Sequence, residues 1–236
     1  MSYFSAASLA FLRGLARNNR KDWFEAHRAE YEEHVKGPMV ELVGELDLRL
    51  GTFAPEMVGD PKRSVFRIHR DVRFSSDKSP YKTNAGCWLF HGDGSSKVGR
   101  EAHSGGAGFY FHLQPGHCFV AGGLWMPPRP ALQKLRARLA ADPQAFEKVV
   151  LAPAFRKRFG GLSEEAMLKR APRGYAEDHP AARWLRHTSF TVSRPLTDTE
   201  VASARLPKAL ADDYQRMLPL VRWLNSTLGL RPAARR

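Results

Sequence analysis

Two alternating apolar runs meet at a turn signal near the middle of this chain, and that arrangement limits the fold more than any other feature. GFYFHLQ (108–114) and HCFVAGGLW (117–125) flank Pro115-Gly116. Successive side chains of a strand point to opposite faces, so each run carries one apolar face. A Pro-Gly pair between two such runs predicts a β-hairpin, and therefore an antiparallel sheet. In the first run Phe109, Phe111 and Leu113 share the face expected to be core, and Tyr110, His112 and Gln114 share the other. The stretch from Asn84 to His91 is a candidate third strand, and TSFTVSRPL (188–196) is a late one.

Helical spacing governs the rest. Residues 4–17 repeat Leu9, Leu12 and Leu15 on one stripe, and Asn18-Asn19 ends that helix and can cap the next one. A second helix is expected over 21–36, striped by Trp23, Phe24, His27, Tyr31 and Val35. Gly37-Pro38 is expected to interrupt it before a third helix over 39–50, which ends at Gly51. Further helices fit 129–140, 143–150, 177–187 and 207–228, and Thr197 with Glu200 forms a capping box. Helices, then strands, then helices with one late strand predict an α+β fold. We expect a mostly antiparallel sheet with N-terminal and C-terminal helices packed on it, as a single domain over 1–230. Residues 231–236 are expected to be a disordered basic tail.

The segment RIHRDVRFSSDKSPYKTN (67–84) holds five cations, Arg67, Arg70, Arg73, Lys78 and Lys82, against Asp71 and Asp77. As a strand over 65–74 it would put Phe66, Ile68, Arg70, Val72 and Phe74 on a core face. Val65, Arg67, His69, Asp71 and Arg73 would lie on the other. An Asp between two Arg can be a structural ion pair, or it can orient guanidinium forks toward a carboxylate or phosphate. The turn after this strand would add Lys78, Tyr81, Lys82 and Asn84. The expected ligand-binding set is therefore Arg67, Arg70, Arg73, Lys78, Tyr81, Lys82 and Asn84. Arg67 and Arg73 would clamp the anion, with Asp71 orienting them. Asp71, Tyr81 and His112 are the candidate proton-transfer groups if a reaction is catalysed.

The net charge of +13 suits polyanionic partners. Yet Arg outnumbers Lys by 26 to 11 and Ala is abundant, a bias that a GC-rich genome produces without selection for binding. Three readings of the motif stay open: a small-anion pocket, a nucleic-acid surface and a structural ion-pair network. The aromatics assigned to core faces leave few for base stacking, which counts against the second. GDGSSKVG (92–99) lacks the spacing of a P-loop and is expected to be a solvated loop. The sequence contains neither a Gly-x-Ser-x-Gly elbow nor a His-Glu-x-x-His helix. His69, His91, His103, His112 and His117 lie in the β region without close ligand spacing, so no metal site is expected, and no cofactor is indicated. Cys87 and Cys118 are expected as reduced core residues of a cytoplasmic protein. No apolar run approaches the roughly 20 residues that span a bilayer, so no membrane partner is expected. The oligomeric state is open.

The central motif, Arg-x-x-Arg-Asp-x-Arg-Phe-Ser-x-Asp-Lys-Ser-Pro-Tyr-Lys-Thr-Asn, resembles the hallmark of a widespread family catalogued as domain of unknown function 2461. So does the N-terminal pattern of Leu15, Asn18, Asn19, Trp23, Phe24, Arg28 and Tyr31, as do GFYFHLQPG and GGLWMPP. The resemblance runs from about 4 to 228. It implies one family-wide domain and sharpens the site without naming a reaction.

Overall fold

Ser5 starts the first helix by reciprocal capping with Ser8, and α1 (Ala6–Arg17) buries Leu9, Phe11, Leu12 and Leu15, the expected stripe. The computed structural model of the chain describes residues 2–73, 76–93 and 106–232. Most of the expected 92–99 loop, Phe74, His103 and the tail from 233 lie outside them.

The interruption expected at Gly37-Pro38 does not occur. α2 (Lys21–Ala26) and α3 (Arg28–Tyr31) lead through a π-turn (Glu32–Lys36) straight into α4 (Gly37–Phe53). The wider turn absorbs the missing N–H of Pro38, which sits in the first turn of α4 where a proline is tolerated. Gly37 is required there, since a Cβ would stand 2.8 Å from the Glu32 carbonyl oxygen.

β1 (Met57–Val58), β2 (Ala85–His91), β3 (Gly108–Leu113), β4 (Cys118–Leu124) and β5 (Phe190–Leu196) form an antiparallel sheet in that spatial order. The Pro115-Gly116 hairpin is present, with Gly108 opposite Gly123 and His112 opposite Phe119. Phe109 and Phe111 are buried on the inner face, as expected. Between β4 and β5 come α5 (Arg129–Ala141), α6 (Pro143–Val150), α7 (Pro153–Phe159) and α8 (Ala182–Leu185). The helix expected over 177–187 is thus only one turn, and α7 and β1 are elements that periodicity did not predict. The expected Thr197–Glu200 capping box opens α9 (Asp198–Val201).

α10 (Leu206–Leu228) packs on the inner face of the sheet. Tyr214 stacks on Phe109 at 4.7 Å between ring centres, and Gly122 admits Met217, whose sulfur would lie 2.8 Å from a Cβ there. The same face meets the N-terminal helices, with Phe4 against Phe111. Arg222 of α10 binds the buried Glu56 carboxylate after α4 at 2.7 Å. Both terminal helical regions therefore close one core on one sheet, in an α+β domain. At the end of β2 His91 Nε2 contacts the Arg231 carbonyl at 3.0 Å, so the chain is held to the sheet as far as Arg231, the first residue of the expected tail.

Candidate functional site: a basic sheet edge

Of the strand expected over 65–74, the described residues 65–73 form isolated bridges and no continuous ladder. Val65 bridges Cys87, with Phe66 N–H donating to the Gly86 carbonyl and Trp88 N–H to that of Ser64. The chain then bends at Ile68 and changes partner. His69 bridges Tyr81, Arg70 N–H donates to Pro80, and Lys82 N–H donates to Ile68. The bend also breaks the expected alternation. Val65 and Ile68 pack on the core, while Phe66 lies on the outer side of the sheet, edge-on to Tyr110 with ring centres 5.8 Å apart. Phe66 was expected in the core. The change of partner explains the difference, since period 2 holds only while one ladder continues.

The loop tip uses three of the five cations internally. Arg70 pairs with Asp77 and donates to the Tyr81 carbonyl. Arg73 makes a forked contact to Asp71 at 2.9 and 2.7 Å. Lys78 donates to the Val72 carbonyl at 2.9 Å. The Arg73 guanidinium, with Arg67 farther off, holds the Asp71 carboxyl well below the usual carboxylate range.

The loop base is fixed by the N-terminal motif. The Asn19 amide donates to the Tyr81 carbonyl at 2.9 Å and accepts from the Tyr81 N–H at 3.0 Å. The Tyr81 ring is buried and stacks on Phe24 at 4.2 Å, and burial raises its pKa. The two sequence hallmarks are thus one structural unit.

Lys82 and Arg67 remain beside the outer face. Lys82 is half-buried, with its ammonium 5.3 Å from the Phe66 ring centre and bonded to the Arg67 carbonyl at 3.0 Å. Burial lowers its pKa, and the positive charges of Arg67 and Arg70 push the same way. Among the described residues it has no ion-pair partner. The Arg67 side chain is exposed, and Asn84 is half-buried at the entry to β2.

Beyond Phe66 a polar chain runs along β3. Tyr110 Oη lies 2.8 Å from His112 Nδ1, and His112 Nε2 lies 3.0 Å from Gln114 Oε1. Phe119 stacks on His112 at 4.6 Å, and His117 stands edge-on to both. Burial lowers the His112 pKa, opposed by the Gln114 bond, and raises that of Tyr110. This suits a neutral imidazole that accepts from Tyr110 and donates to Gln114. Gly86 makes room for the chain, since a Cβ there would meet Tyr110 Oη at 2.7 Å.

The expected site residues thus divide into three groups. Arg70, Arg73, Lys78 and Asp71 lie in the loop tip, Tyr81 in the hinge beneath it, and Lys82, Arg67 and Asn84 toward the sheet. Phe66, Phe119, His117 and the Asn19 anchor were not among them. The alternation of 117–119 with the other hairpin strand signalled Phe119 and His117. Asn19 was marked as a helix cap and in the N-terminal pattern, but no local signal gave its bond to Tyr81 across 62 positions. Among the described residues no three His, Cys, Asp or Glu side chains converge to hold a metal. Also among them, no helix is long and apolar enough to cross a membrane.

A family model described as "Conserved hypothetical protein (DUF2461)" matches residues 7–223. No curated protein and no solved structure matches.

Proposed function

The chain belongs to the conserved hypothetical protein family DUF2461, and we propose that it binds a phosphate- or carboxylate-bearing small molecule at its basic sheet edge. The observation that carries this reading is Lys82, a half-buried ammonium placed among Arg67 and Arg70 without a carboxylate of its own. A half-buried ammonium among like charges is offset best by an anion from outside. Arg67 and Lys82 would contact the ligand, Asn84 would add a hydrogen bond, and Phe66 and Tyr110 would border its uncharged part. Arg70, Arg73, Lys78 and Asp71 would hold the loop in shape, and Tyr81 would anchor it. Were chemistry to follow, His112 is the proton carrier we favour, because Asp71 is held too firmly as a carboxylate to accept a proton near neutral pH.

Nucleic acid is the second reading, favoured by Phe66, Tyr110 and Phe119 lying together on the outer face with Lys82 over Phe66. Free, buried Cys87 and Cys118 accord with the reducing cytoplasm we propose for the protein. The test is a thermal-shift and calorimetric screen against phosphate, sugar phosphates, nucleotides, carboxylates and short oligonucleotides, repeated with Lys82→Met and Arg73→Ala. A small anion that binds wild type and Arg73→Ala, but at least about tenfold more weakly to Lys82→Met, supports the proposal. Binding confined to oligonucleotides and abolished by salt supports the second reading. If no ligand binds, and Arg73→Ala lowers the melting temperature sharply, the motif is structural.

A further inference from the structure

We infer that a second, separate site between α7, α8 and β5 binds a small organic carboxylate. A cavity of about 360 Å³ lies there, at the low end of the range for small-molecule sites. Its lining is mostly polar, with Arg156, Ser163, His187 and Ser193, and Phe159 and Leu162 add a smaller apolar surface. α7 ends in two glycines with positive φ, Gly160 at 78° and Gly161 at 145°, and this turn leads the chain around the cavity. Ser163 N–H then bonds to the Thr191 carbonyl of β5 at 2.8 Å and closes that side.

His187 is the residue that asks for a ligand. It is 1 % exposed, yet neither ring nitrogen has a hydrogen-bond partner of normal geometry. Burial lowers the pKa of the ring, outweighing Glu164 and the nearby Ser163 backbone, which favour its charged form. Buried polar groups without partners are rare in folded proteins. A ligand with one polar atom in the cavity could supply the missing bond.

Arg156 supplies the charge. It is exposed at the rim and forms no ion pair among the described residues. The other two rim charges, Arg183 and Glu164, pair with each other at 3.3 Å. One open guanidinium suits a monoanion better than a phosphate dianion.

The probe is phenylacetate, titrated by calorimetry and ligand-observed NMR, with phenylacetamide as its uncharged match. We expect the amide to bind at least tenfold more weakly. Arg156→Gln should weaken phenylacetate at least tenfold and leave the amide unchanged, while His187→Phe should weaken both. Lys82→Met should change neither, which separates this site from the basic edge. Arg156 is exposed, so its variant tests the site even if His187→Phe does not fold. The inference is overturned if phenylacetate does not bind at millimolar concentration. Equal binding of acid and amide, or loss of phenylacetate binding in Lys82→Met but not in Arg156→Gln, overturns it as well.

Discussion

Lys82 carries opposite consequences for stability and binding, and this makes it the most informative single residue. Its ammonium lies 5.3 Å from the Phe66 ring centre and is desolvated among like charges. Lys82→Met keeps the stem and removes the charge. We expect an unchanged or higher urea midpoint together with lost anion affinity, a combination that a purely structural lysine would not give. Asn19 is the contrasting case. Asn19→Ala removes both bonds to the Tyr81 backbone, and Tyr81 lies buried against Phe24. A loss of about 1–3 kcal/mol is expected from urea unfolding, the range for leaving partly buried backbone groups unpaired. Gly86→Ala should cost a similar ~1–3 kcal/mol through overpacking, because the added methyl meets Tyr110 Oη at 2.7 Å and the Phe111 carbonyl at 2.9 Å.

At the scale of elements, the π-turn before α4 reverses an ordinary rule. Gly→Ala inside a helix normally stabilises by roughly 0.5–1 kcal/mol. Gly37→Ala is expected to destabilise instead, since its Cβ would meet the Glu32 carbonyl oxygen at 2.8 Å, and far-UV circular dichroism with urea unfolding reads the sign. The sequence shows Gly37-Pro38 but not the extra residue of the preceding turn, so a break was the natural expectation. Long periodic elements were legible for a physical reason. α1, α5, α10 and the β3–β4 hairpin each bury one stripe or face over many residues, and pattern reports burial. β1 is two residues long and carries no period at all. Residues 65–74 failed differently. Alternation says nothing about which neighbour each residue pairs with, and the switch from β2 to residues 80–82 moved Phe66 to the outer face. The cations of the site were legible by composition alone. Which of them the loop would use internally was not, because that depends on where Asp71 and Asp77 fold back.

Across the whole molecule, a half-buried and a buried histidine at distant places make stability depend on pH. His112 sits on the outer sheet face and His187 beside the α7–α8 cavity, and burial lowers the pKa of each below the ordinary value of 6.5. Around His187, Glu164 opposes the shift, while Arg183 and Arg186 reinforce it. The unfolded chain therefore takes up protons at these positions more readily than the folded one. Stability rises with pH wherever the unfolded state binds more protons. The contribution is complete above about pH 6.5 and is lost as pH falls from there through the folded-state values. Asp60, Asp71, Asp77, Glu25 and Glu200 have lowered values too, but from ordinary values of 3.8 or 4.5, so their contribution is lost only in more acidic solution. The interval from pH 7.5 down to pH 5 thus reports the histidines. Urea midpoints should fall across it in the wild type, and less steeply in His187→Phe. That variant should also be at least as stable as wild type at pH 5, because it replaces a buried, unpartnered imidazole with an apolar ring. A saturating cavity carboxylate, whose charge favours the protonated ring, would flatten the wild-type dependence and leave that of His187→Phe unchanged, which ties the stability of the domain to occupancy of its second site.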